Sequence, residues 1–95
     1  MTEKALDLVL AVYRLTKLFP ESEVLIGQIR KTSGEILAEL TRGENKKAIH
    51  EIKILLSYLE IARNQNWTKN VNFVIMDKEY RGLLGELEKK PRYPE

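Results

Sequence analysis

Apolar residues recur along this chain at three- and four-residue spacing, the period of a helix that buries one face. The first run predicts a helix over residues 3–19, in which Ala5, Leu8, Val12, Leu15 and Phe19 share a stripe that Leu6, Val9, Leu10 and Tyr13 widen. Glu3, Asp7, Arg14 and Lys17 make its wet side. Thr2 is placed to cap the start, and Pro20 to end the helix, because its ring forbids the helical region to the residue before it. A second helix opens just past that break, at Ser22 or at Pro20 itself, with Glu21 and Glu23 suited to the positive end of the helix dipole. Its stripe is Ile26, Ile29, Ser33, Ile36 and Leu40, flanked by Leu25 and Leu37. The serine is small enough to admit a neighbouring helix. Gly34 in the middle costs about 1 kcal/mol against alanine, and Gly43 is the natural stop.

The third helix is expected over Lys46 to Asn64, capped by Asn45, with a stripe of Ile52, Leu55, Leu59 and Ala62 beside Ile49 and Leu56. Ile54, Tyr58 and Ile61 fall outside that arc, so this helix is apolar over more than one face. Asn64, Gln65 and Asn66 read as a turn, since short amides disfavour helix. The fourth helix runs from near Thr68 to Lys90, before Pro91, on Phe73, Met76, Tyr80, Leu83 and Leu87. Val71 and Val74–Ile75 have strand character, but one strand without a partner makes no sheet. The pattern therefore predicts an all-α, antiparallel, up-down-up-down four-helix bundle over residues 1–90, with a loose tail at 91–95.

Composition narrows this picture. Ninety-five residues make one domain, and 43% hydrophobic with 32% charged residues is a globular balance. No apolar run approaches the roughly 18–20 residues of a membrane span. The first residues lack a basic region and carry Asp7 within their apolar part, unlike a secretion signal. A cytoplasmic protein is expected. The absence of cysteine excludes disulfides and thiolate chemistry. Net charge is only +2, and the one local excess lies around Arg42, Lys46, Lys47 and Lys53.

Little in the chain suggests catalysis. His50 is the sole histidine and stands on a mostly polar face, with no serine or cysteine partner that can be placed. Glu35 and Glu39, one helical turn apart, could share a metal, but a di-metal bundle needs histidines on two helices and this chain cannot supply them. The pair reads as a solvated face. Gly27, Gly34 and Gly43 have neither the spacing nor the context of a phosphate loop. No enzyme activity, cofactor, metal or small-molecule substrate is expected. Two features invite a binding role. The cations Arg30, Lys31, Arg42, Lys46, Lys47, Lys53, Arg63, Lys69 and Arg81 are the candidates for polyanion contact, against the ordinary reading of solubilising lysines. Gly82 and Gly85 inside helix four mean either that the helix frays or that another helix, in the bundle or in a second subunit, comes close.

At Phe19-Pro20 followed by Gln28-Ile29-Arg30-Lys31, the chain resembles the four-helix-bundle proteins encoded in intervening sequences of bacterial 23S ribosomal RNA genes. Those are similar in fold to the accessory variability protein of diversity-generating retroelements. In the first group an Asn-Ile-Ala-Glu-Gly segment closes helix two. Ile36, Leu40 and Gly43 align with that segment, while Glu39 stands at its asparagine and Arg42 at its glutamate, so the retroelement branch matches equally well. Glu79 to Gly85 resembles the glycine-containing end both groups share. Over residues 5–88 the resemblance implies a homo-oligomer, commonly a pentameric ring with a basic surface. In the retroelement branch the ring binds RNA and a reverse transcriptase. Arg30, Lys31 and Arg81 are the matching basic positions; Ile54, Tyr58, Ile61, Gly82 and Gly85 are the candidate subunit interface. The alternative is a protein-interaction module that uses the apolar excess of helix three and has no nucleic-acid role.

Overall fold

A computed structural model describes residues 1–89, and there the chain is four helices: α1 (Thr2–Thr16), α2 (Val24–Thr41), α3 (Asn45–Arg63) and α4 (Asn70–Glu88). The expected end of helix four at Lys90 and the tail at 91–95 lie outside the described residues. Each helix packs on its sequence neighbours and α1 closes the ring against α4, while the diagonal helices keep their backbones farther apart. The ion pairs Lys53–Glu88 and Lys4–Glu79, with the Arg63–Asn70 hydrogen bond, set the helices antiparallel. The architecture is the up-down-up-down bundle that the four stripes predict.

The stripes supply the core. Ala5, Leu8, Val12, Leu15, Phe19, Ile29, Ser33, Ile36, Leu40, Ile52, Leu55, Leu59, Ala62, Phe73, Met76, Tyr80 and Leu83 are all buried, while Ile26 and Leu87 are half-buried at its margin. Ala48 joins them from the start of α3, and Trp67 packs over the end of the bundle, its ring 4.9 Å from that of Phe19. Phe19 in turn lies 5.9 Å from Phe73.

Element ends differ from the sequence reading. α1 stops at Thr16, before Pro20, because residues 17–19 tighten into turns (Leu18 N–H to Leu15 O, Phe19 N–H to Thr16 O) that swing Phe19 under Trp67. Thr2 lies inside the first turn and caps nothing. α2 is capped by neither Ser22 nor Pro20: the Glu23 carboxylate accepts the Leu25 N–H at 3.0 Å. Asn45 likewise begins α3, with Glu44 at the cap position. Gly43 is the stop expected of it. Its φ of +75° lets the Glu44 N–H reach Glu39 O at 2.8 Å and its own N–H reach Leu40 O at 3.1 Å, the paired bonds of a Schellman turn. The amide run closes α3 as expected, with Asn66 at φ 60°.

Candidate interaction surfaces and an acidic cluster

The predicted basic residues do not form one patch. Arg30 is half-buried and turned onto α1, where its Nε donates to Thr16 Oγ1 at 2.8 Å and its guanidinium lies 4.5 Å from the Tyr13 ring centre. That geometry is a seam contact between α1 and α2. Lys31 points outward from α2, 4.0 Å from Glu35. Arg42 and Lys47 both hold Glu44, at 3.0 and 2.8 Å, at the α2–α3 turn. Lys47 first, then Arg42, keep the Glu44 carboxyl below its ordinary range. Lys53 and Arg81 line one groove between α3 and α4, and each has a carboxylate of its own, Glu88 at 3.5 Å and Asp77 at 2.8 Å. Arg63 is held by Asn70 and Glu60. Lys46 and Lys69 are exposed, with no side-chain hydrogen bond or ion pair among the described residues. Exposed pairs of this kind contribute little, so they give way readily to a stronger anion. His50 is exposed.

Apolar side chains stand open on α1, where Leu6, Leu10 and Tyr13 are 47%, 49% and 43% exposed, and on two further surfaces. On α3, Ile54 and Ile61 are 42% and 50% exposed, whereas Tyr58 between them leans partly into the core. They continue the stripe of Glu51, which faces α2, so this surface lies on the α2–α3 side. On the opposite side, Leu18 and Ile75 (54% and 56% exposed) flank a groove between α1 and α4 that Ala11, Leu15 and Met76 floor. Gly82 continues that stripe of α4 beside Lys4 and Glu79. Sequence reasoning missed the α1–α4 surface, because Ile75 shares strand character with Val71 and Val74; all three are helical and exposed, and Val74 instead lines a groove between α3 and α4.

The glycines resolve one ambiguity. α4 runs unbroken to Glu88, so it does not fray at Gly82 or Gly85. A Cβ at either position would meet nothing within 4 Å. Close packing inside this bundle therefore does not account for them.

Glu35 and Glu39 are not the solvated pair that their spacing suggests. Glu39 is only 6% exposed at the α2–α3 seam, and Glu51 comes across from α3 to join them. One oxygen from each of the three carboxylates lies within 4.8 Å of the others. Burial, then the charges of Glu35 and Glu39, push the Glu51 carboxyl above its ordinary value. Glu39 Oε2 is buried with no hydrogen-bond partner, a condition shared among the described residues only by the hydroxyl of Tyr80.

These features define a class, the small antiparallel four-helix bundle with exposed apolar side chains along α1, α3 and α4. No family model, no curated protein and no solved structure matches the chain. No helix among the described residues is long and apolar enough to cross a membrane.

Proposed function

We propose that this chain is a non-catalytic, homo-oligomeric scaffold that binds structured RNA and a reverse transcriptase on its assembled surface. The observation that carries the assembly is the pairing of two exposed apolar surfaces on opposite sides of one bundle. A two-fold dimer needs one self-complementary patch; two different patches suit head-to-tail contact, which closes into a ring when the rotation permits. In such a contact Ile54 and Ile61 of one copy meet the Ile75–Gly82 side of α4 in the next, and the glycines let the backbones approach. The number five rests on the resemblance to the intervening-sequence and retroelement proteins. RNA binding rests on the same resemblance, with Lys31, whose side chain is 80% exposed, and Lys46 and Lys69, which hold no ion pair among the described residues, as the cations most open to phosphate. Repetition around a ring multiplies such contacts and makes the binding steeply salt-dependent.

Light scattering at micromolar concentration should give a mass several times the 11.1 kDa of one chain; a monomer mass ends the assembly claim. Structured RNA should be retarded in a mobility-shift assay at low salt and released as salt rises. The extensive ion pairing of Arg42, Lys47, Lys53 and Arg81 with the chain's own carboxylates favours the second reading, a protein-interaction module indifferent to nucleic acid. Assembly without any retardation of RNA at low salt would establish that reading instead.

A further inference from the structure

We infer that Glu35, Glu39 and Glu51 form a binding site for a divalent cation with oxygen ligands, of the size of Ca²⁺ or Mn²⁺. Three carboxylates converge from two helices, and their facing oxygens are at most 4.8 Å apart. Points so spaced fit within a circle of radius about 2.8 Å, and Ca²⁺–oxygen bonds are about 2.3–2.6 Å long, so the side chains need move by only a few tenths of an ångström. Mg²⁺, at about 2.0–2.1 Å, would demand more.

Clustered acids on a protein surface are common and by themselves mean nothing. Here a second, independent observation points to a ligand: Glu39 is only 6% exposed, its carboxylate is aimed into the cluster, and its buried Oε2 has no donor. A buried carboxylate oxygen with no partner is costly, and a cation is the partner that would satisfy it and its two neighbours together. The nearby cations do not do so. Lys31 stands 4.0 Å from Glu35 with its side chain 80% exposed, and Lys47 is held by Glu44. Glu35 and Glu51 are only half-buried, leaving an approach from solvent and room for water to complete the coordination. The bound ion would tie α2 to α3 across their seam.

The test is a titration of the full-length chain with Mn²⁺, followed by loss of the free-ion electron paramagnetic resonance signal, with Ca²⁺ as competitor. One saturable Mn²⁺ per chain is expected, displaced by Ca²⁺. Glu39→Gln and Glu51→Gln should each weaken it about tenfold or more, since each removes one charge from the ligand set. Glu3→Gln, on the exposed face of α1, should leave it unchanged. Ca²⁺ should also raise the thermal midpoint of the natural chain and not of the two cluster variants. If Glu39→Gln does not fold, Glu51→Gln, at the half-exposed edge, carries the comparison alone. Undiminished free Mn²⁺ at protein excess overturns the inference and leaves a proton shared between the carboxyls. Binding that survives in Glu51→Gln overturns it equally, by placing the ion elsewhere.

Discussion

Thr16 holds three residues together: it donates to Val12 O at 2.9 Å, accepts from Arg30 Nε at 2.8 Å, and is itself fully buried. Thr16→Val keeps the shape and deletes the acceptor, leaving a half-buried guanidinium N–H short of a partner. A loss of about 1–2 kcal/mol is expected, read as a lower denaturant midpoint at unchanged slope. Acid response belongs at this scale too. Lys4 holds the Glu79 carboxyl below its ordinary 4.5, as Lys47 and Arg42 do for Glu44. A carboxyl whose folded pKa is depressed stabilises the fold above its unfolded pKa, and that contribution is lost as pH falls through the folded one. The thermal midpoint should therefore drop as pH falls below about 4.5, and Glu79→Gln should flatten part of the drop. The sequence foretold the buried serine of α2 but not the buried glutamate. Thr32 and Glu39, seven residues apart, flank Ile36 on the side facing α3, and a stripe drawn from apolar letters passes over both.

At the scale of the element, glycines separate what the helix needs from what a neighbour needs. Gly34 sits mid-helix with nothing within 4 Å, so Gly34→Ala should stabilise the chain by about 0.5–1 kcal/mol. Gly43→Ala should destabilise it by about 1 kcal/mol, because φ of +75° is strained for alanine. Both are read from chemical denaturation. Gly82 and Gly85 have Gly34's open surroundings, yet replacement by a bulky residue such as leucine should dissociate the assembly while leaving helicity intact, seen by light scattering beside far-ultraviolet dichroism. A Gly82→Leu variant that stays assembled would move the interface elsewhere. The helices themselves were legible because each stripe repeats over about three turns or more. Their ends were not, because caps are settled by single hydrogen bonds. Glu23, rather than Ser22, reaches Leu25, and Thr2 and Asn45 lie inside the helices that the sequence places them to cap.

For the whole molecule, the two-sided surface makes a prediction about mixtures. Ile61→Glu spoils the α2–α3 side and Ile75→Glu the α1–α4 side; both residues are exposed, so neither change should unfold the chain. Each variant alone should be monomeric. Mixed, they retain one good surface of each kind and should pair without growing further, seen as a two-chain mass by light scattering. If Ile61→Glu assembles normally, the contact is isologous through α4 and the head-to-tail arrangement fails. Nothing in the stripes distinguished these sides, since periodicity locates a core but not which exposed residues share a face across two helices. The order of contacts around the bundle also bears on how quickly it forms. α1–α2, α2–α3 and α3–α4 all join neighbours in sequence, and only the looser α1–α4 seam spans the chain. Short loops close at little entropic cost, so the α2–α3 hairpin, set by its Schellman turn, is suited to be the nucleus and the α1–α4 seam to close last. Ile52→Val should then mainly slow refolding, while Leu8→Ala, on the closing helix, should mainly speed unfolding, a division that the two arms of a chevron plot separate.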